Sequence, residues 1–339
     1  MATEVKNSKP VNTRKVKQNI GDTTFAIALM IVFCLVVPYL YYANTIYEYG
    51  HAHKPPGYKY PEYKQLWMTV VGAISFGMMK EMLDCVSYPI FSRLVVNKGD
   101  DYAWERKVRK AQENFVGFFY FSISTFWGWS MMKDSLWIPS YLGGNNPQAS
   151  IKGTFDPLFI ETPPGIHCYI LFTFGYHAQD LIRHLFFVEV DNDWREMLLH
   201  HISALALYPG FIFANVMGIG VVLAWLHDIA DIFANITRLF NILDWQITGV
   251  VTFIVVMIVW AYTRLMILPT YIFYIVTEFR FPEPVAHFQN FVWIELVFLM
   301  TMQCLHILWF GMFIKMGYRL IMKGERRDLI STIDDKKKQ

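Results

Sequence analysis

Along this chain, polar and apolar positions alternate in long blocks. Runs of about 20 mostly apolar residues, the length that spans a hydrocarbon core of about 30 Å, are separated by polar or aromatic connections. About eight such segments stand out, with seven as the lower count: Thr24 to Ala43, Leu66 to Phe91, Phe115 to Met132, His167 to Val188, Met197 to Val216, Gly218 to Phe240, Thr248 to Val276 and Asn290 to Met316. Two are weak, because Lys80, Glu81 and Asp84 interrupt the second and His177, Asp180 and Arg183 the fourth. The pattern predicts an all-α, polytopic transmembrane helix bundle. Residues before Thr24 and after Gly324 read as flexible tails.

Composition agrees with this pattern. Of 339 residues, 54% are hydrophobic and only 17% charged, where a soluble domain carries about a quarter. Cys34, Cys85, Cys168 and Cys304 all fall inside apolar stretches, without the paired spacing of a metal knuckle or disulfide framework. No cleavable leader is visible, and the first apolar segment is long enough to stay as an anchor. With a net charge of +2, no nucleic-acid partner is expected.

The placement of Lys and Arg is more informative than their sum. Clusters lie before the first span (Lys6, Lys9, Arg14, Lys15, Lys17), after the second (Arg93, Lys98, Arg106, Lys107, Arg109, Lys110) and after the eighth (Lys315, Arg319, Lys323, Arg326, Arg327). With eight spans all three share one side, which the positive-inside rule makes the cytosol. The connections from Tyr47 to Lys64 and Lys133 to Ile166 fall on the other face, as loops lying along the interface. Near the C-terminus, Lys336 and Lys337 resemble a dilysine retrieval signal of the endoplasmic reticulum; a solvated basic tail is the alternative.

Charged groups inside the apolar runs point to chemistry, since each costs about 2.5–3.5 kcal/mol at a helix centre. The sixth segment carries His227, Asp228 and Asp231. Asp228, Asp231, Asn235 and Arg238 follow helical spacing along one face. The fifth opens Trp194-Arg195-Glu196-Met197-Leu198-Leu199-His200-His201. The two form a tight hairpin turning near Asn215 to Gly218, and Ala214 is equidistant in sequence from His200 and Asp228. At about 1.5 Å per residue both lie roughly 21 Å from the turn, so His pair and Asp pair share one depth. The fourth adds His177, Asp180 and His184, again at helical spacing. An isolated intramembrane histidine, such as His177, His184 or His306, is more often a satisfied interhelical hydrogen bond than a catalyst. Two His and two Asp at one level are costly to keep for packing alone. A diiron His-box enzyme does not fit, because no His precedes His200-His201 at the required spacing. A single zinc on His and Asp and a transporter's proton relay remain as alternatives. The relay is the weaker, because the groups cluster at one depth.

At these residues the chain resembles the ceramide synthase branch of the TLC-domain (Lag1-type) family. The resemblance rests on Asp193-Trp194-Arg195-Glu196-Met197-Leu198-Leu199-His200-His201 followed by Leu226-His227-Asp228-Ile229-Ala230-Asp231. Two further blocks fit: Thr263-Arg264-Leu265 with Ile267 and Pro269, and Gln303-Cys304-Leu305-His306 with Trp309, Lys315, Arg319 and Gly324. It covers Tyr169 to Gly324, and it departs at Phe211-Ile212 (usually Ser-Tyr), Gly218 (usually Arg) and Asn235 (usually acidic). The homeobox-like insert of some animal members is absent.

The resemblance implies transfer of an acyl group from acyl-CoA, a cosubstrate and not a resident cofactor, to the 2-amino group of a sphingoid base. His200, His201, Asp228 and Asp231 would be catalytic. His177, Asp180, His184, Trp225, His227, Asn235 and Arg238 would contact substrate, and no metal is expected. Arg238, Arg195 or the basic loop from Arg93 to Lys110 would meet CoA phosphates. The acyl tail would run past Trp225 and Phe211, and the loop from Glu278 to Gln289 would influence chain length. The implied organisation is a basic cytosolic tail (1–23), N-terminal transmembrane helices with the basic loop (24–114), a TLC catalytic bundle (115–324) and a cytosolic tail (325–339), in the endoplasmic-reticulum membrane. Membrane lipids surround it, and homo- or heterodimers are compatible with it. The competing reading is a non-catalytic TLC-fold lipid-binding or structural subunit, which needs neither both His nor both Asp.

Overall fold

The computed structural model describes residues 13–97, 99–155, 158–188 and 193–323. The dilysine lysines and the N-terminal Lys6 and Lys9 lie outside them. Among the described residues every long element is a helix: α1 (Thr13–His53), α2 (Trp67–Leu94), α3 (Asp101–Met132), α4 (Ile166–Phe186), α5 (Trp194–Phe213), α6 (Met217–Ile242), α7 (Gln246–Trp260), α8 (Leu268–Thr277) and α9 (Gln289–Lys323). A π-helical stretch, Ala261–Ile267, joins α7 to α8, so the expected seventh segment is one rod. Among the described residues, five stretches are long and apolar enough to cross a bilayer, fewer than the eight expected: Phe25–His53, Tyr63–Leu94, Met217–Ile242, Gln246–Thr277 and Ala286–Lys323. α3, α4 and α5, which carry much of the polar chemistry, are not apolar enough to meet that description.

Two boundaries differ from the sequence expectation. α1 begins at Thr13, inside the stretch read as a tail, and runs beyond Ala43 to His53. Once nucleated, a helix extends at little cost. Its far end is also held by packing, because Tyr47 lies 3.9 Å from Tyr63 and 5.9 Å from Phe213 between ring centroids. The connection between α3 and α4 does not simply lie along the interface. It inserts Trp137, Ile138, Ile151 and Ile160 into the main core.

Local chemistry explains the helix ends and breaks. Asp100 caps α3 by accepting a 3.0 Å hydrogen bond from the Ala103 amide. Two of the three charges that weakened the second segment, Lys80 and Asp84, pair with each other within α2. Gln112 of α3 donates to the Asp84 carbonyl at 2.6 Å. Pro269, at the start of α8, has no amide proton and its ring crowds the carbonyl four residues back. The wider π turn just before it lets the rod continue.

The polarity of the bundle is inverted relative to a soluble protein. Phe33, Val37, Met78 and Met82 face outward, while Asp228, Arg264, Glu295 and His306 are buried. An apolar exterior suits a lipid environment, and buried charges must find partners inside. α3 packs along α6, and α2 along α4. α5 contacts α1, α4, α6 and α9. Gly117 of α3 permits the first of these pairings, since a Cβ there would run into the Asn235 carboxamide.

The α5–α6 turn is clasped by two connections. Asn215 adopts φ 52°, and its Nδ2 donates to the Leu158 carbonyl at 2.6 Å and to the Tyr58 hydroxyl at 2.7 Å. The Tyr60 hydroxyl donates to the Phe213 carbonyl at 3.2 Å. Replacing Asn215 by alanine removes buried hydrogen bonds worth about 1–3 kcal/mol and adds about 1 kcal/mol of left-handed backbone strain. Thermal unfolding in detergent checks this, and Asn215→Gly recovers only the strain component.

Candidate active site

Helices α4, α5, α6 and α9 and the π-helical stretch deliver polar side chains to a shared layer. On α5 the two histidines, adjacent in sequence, point about 100° apart and face different neighbours. His201 faces α4: its Nε2 lies 3.8 Å from Asp180 Oδ2, and its ring is 5.1 Å from that of His184. His200 faces α9, with its ring 6.4 Å from His306 and 5.5 Å from Trp309. The Nδ1 atoms of both His200 and His201 are buried without a hydrogen-bond partner.

α6 distributes its groups in the same way. The His227 ring lies 4.8 Å from His306 on α9, and its Nδ1 is engaged by its own helix at the Leu223 carbonyl, 2.6 Å away. Asp228, 2% exposed, accepts a 2.6 Å hydrogen bond from Ser124 of α3. The Ser124 hydroxyl also lies 3.4 Å from that of Tyr169. Asp231 pairs with Arg264 of the π stretch at 2.7 Å. The same guanidinium donates to the His227 carbonyl at 3.0 Å and lies 3.9 Å from the Trp260 ring centroid.

The His pair and the Asp pair, expected at one depth, find other partners than each other. Among the described residues, His201's carboxylate is Asp180, Asp231's counter-ion is Arg264, and Asp228 is bound by Ser124. Residues three apart on a helix are separated by about 60° around its axis, enough to turn Asp228 toward α3 and Asp231 toward the π stretch. His306 brings the His200 and His227 rings into one cluster.

The other predicted residues divide between layer and scaffold. Asp180 joins the layer through His201. His177 packs its ring 5.5 Å from Tyr208. His184 works as a clasp, with Nε2 2.8 Å from the Trp194 carbonyl and its ring stacked on that indole. Trp225 is buried and uses its N–H on the Thr125 carbonyl at 2.9 Å. Asn235 donates to the Asp231 carbonyl at 2.8 Å. Arg238 is half-buried on α6 near its end, and Arg195 lies 6.0 Å over the Phe25 ring. Ser124, Tyr169 and the role of Arg264 were not anticipated. A lone arginine inside an apolar run was the available signal for Arg264; nothing in the sequence marks Ser124. Among the described residues, no three His, Cys, Asp or Glu side chains converge as a metal site.

Toward the α5–α6 turn, a small recess of about 30 Å³ is lined by Phe211, Ile219, Ile275, Phe279, Phe291 and the buried Glu295. Phe279 belongs to the connection expected to influence chain length.

The family model described as the TLC domain matches residues 110–315, which include every polar group of the layer. The chain belongs to the TLC-domain family. Its curated relatives include ceramide synthase 4 of Bos taurus, 28% identical over 203 residues, 59% of this chain and 48% of that protein. Ceramide synthase hyl-2 of Caenorhabditis elegans is 23% identical over 299 residues, 83% of this chain and 87% of its own. Ceramide synthase 4 of Homo sapiens is 26% identical over 221 residues, 64% of this chain and 52% of its own. The chain thus spans about half the length of the mammalian relatives it matches.

Proposed function

We propose that this TLC-domain protein is a sphingosine N-acyltransferase, joining the acyl group of an acyl-CoA to the amine of a long-chain sphingoid base. The observation that carries the reading is His200, a half-buried imidazole whose Nδ1 is enclosed without a hydrogen-bond partner in the polar layer. The names of the relatives support the same chemistry. In the reaction the amine nitrogen bonds to the thioester carbonyl carbon and the carbon–sulfur bond breaks. The amine proton passes to imidazole and then to the departing CoA thiolate. His200 serves as that base, or first as a nucleophile forming an acyl-imidazole. His201, beside Asp180, is its partner. Asp228 and Asp231, with Ser124 and Arg264, supply fixed charge and hydrogen bonding around it.

The same reading has the acyl tail running past Trp225 and Phe211 toward the connection that carries Phe279, the CoA moiety meeting Arg238 or the basic residues between Arg93 and Lys110, and both termini in the cytosol of an endoplasmic-reticulum protein. No resident cofactor enters, and homo- or heterodimers are compatible with it. Trimming the recess by Phe279→Leu raises relative kcat/KM for acyl-CoAs one or two methylenes longer by about tenfold. Competition between acyl-CoAs of neighbouring length measures this, and an unchanged preference contradicts the proposed seat of the tail.

Purified protein in lipid nanodiscs, given a sphingoid base and a panel of acyl-CoAs, tests the reading by mass spectrometry of the amide. Ceramide with a preferred chain length is the expected result. No amide from well-folded protein with any acyl-CoA would leave the non-catalytic TLC-fold subunit as the reading.

A further inference from the structure

Five tryptophans distributed through the bundle give their indole N–H to a backbone carbonyl: Trp104 to Val95 at 3.0 Å, Trp129 to Gly143 at 2.9 Å, Trp194 to His184 at 3.3 Å, Trp225 to Thr125 at 2.9 Å and Trp260 to His306 at 3.2 Å. Trp309 does not. Its Nε1 is buried with no acceptor among the described residues, and the side chain as a whole is 4% exposed. An indole nitrogen can only donate, so this group has no alternative role as an acceptor. An unpaired donor in an apolar bundle is unfavourable, and a native structure holds few of them.

Its position suggests what it is for. The Trp309 ring lies 5.5 Å from the His200 ring, inclined at 66°. Trp260 at 6.1 Å and His306 at 6.3 Å hold its other sides. Trp260's own N–H is committed, and Arg264 spends its Nη2 on Asp231 and the His227 carbonyl, although its buried Nε is also without an acceptor among the described residues. Trp309 therefore brings an uncommitted, donor-only group to the neighbourhood of the imidazole where the thioester is attacked. When the nucleophile adds, the carbonyl oxygen becomes negatively charged, and a fixed donor in a dry site stabilises that charge without reorganising.

We propose that Trp309 is a catalytic residue whose indole N–H binds the acyl carbonyl oxygen as it takes on negative charge. The acyl carbon becomes tetrahedral with its oxygen held at Trp309. The carbonyl then re-forms as the carbon–sulfur bond breaks and CoA leaves as a thiolate that takes the proton held by imidazole. The inference rests on the acyl-transfer reading and adds the chemical group that recognises the thioester.

The test compares wild type with Trp309→Phe, which keeps an aromatic ring and removes the donor, in the same nanodiscs. The expected result is a fall in kcat of about 10²–10³-fold, the scale of losing one oxyanion donor. KM for acyl-CoA stays within about twofold and the melting temperature is retained. A second measurement needs no variant: the infrared stretch of a 13C-labelled ketone analogue of acyl-CoA, bound to wild type, falls below its frequency in hydrocarbon solvent. An undiminished kcat in Trp309→Phe, or a bound carbonyl vibrating as in hydrocarbon, overturns the assignment. Wild type that forms no amide overturns the acyl-transfer reading itself, a different outcome from an active wild type indifferent to Trp309.

Discussion

Truncating Arg264 to alanine destabilises the bundle by up to about 3–5 kcal/mol, because it leaves the half-buried Asp231 carboxylate without its counter-ion inside the bundle. Arg264 is 2% exposed, reaches Asp231 at 2.7 Å, donates to the His227 carbonyl and covers Trp260. All of these contacts go at once. Asp231→Ala is damaging for the same reason, by stranding the guanidinium. Removing both charges with apolar residues of similar size, Asp231→Leu with Arg264→Met, recovers most of the loss. That pair of outcomes separates a stranded charge from lost packing, and thermal unfolding in detergent reads it. The double variant remains slow in amide formation, since the charge around the candidate catalytic histidines is gone. A single Arg264→Ala variant with the wild-type melting temperature would contradict the ion pair as drawn.

His200→Ala lowers amide formation by about 10³-fold or more while leaving protein level and melting temperature near wild type. The two expectations have separate grounds. Loss of a positioned base typically costs 10²–10⁴-fold, and loss of a nucleophile removes the intermediate altogether. The stability expectation follows from the site: the His200 Nδ1 has no partner to lose, and the ring meets those of His201, His306 and Trp309 edge to face. His184→Ala behaves oppositely. It breaks the hydrogen bond and stacking with Trp194 and registers first in stability. Rate measurements alongside unfolding in the same preparation distinguish the two histidines.

The layer was legible because hydrocarbon makes charge conspicuous. His200, His201, Asp228 and Asp231 stand out in apolar runs, and the α5–α6 hairpin that sets them at a similar depth followed from the turn at Asn215 and equal spacing on either side. The partners were not legible. Which carboxylate meets which histidine depends on rotation about each helix axis. A difference of about 60° between Asp228 and Asp231 sends one to Ser124 and the other to Arg264. Arg264's reach depends further on the π-helical turn Ala261–Ile267, which adjusts the register of everything after it. Hydrophobic periodicity carries no sign of that turn beyond Pro269. The extent of α1 was also misjudged, since aromatic packing of Tyr47 on Tyr63 and Phe213 continues the helix past its apolar run.

The most direct measurement is stoichiometric. Purified wild type and His200→Ala are mixed with acyl-CoA, with and without a sphingoid base, and free CoA thiol and amide product are counted together over time. The account predicts one amide for each CoA released by wild type, dependence of sustained release on the amine, and neither product from His200→Ala. Sustained CoA release by wild type without matching amide, or undiminished amide formation by folded His200→Ala, would contradict it.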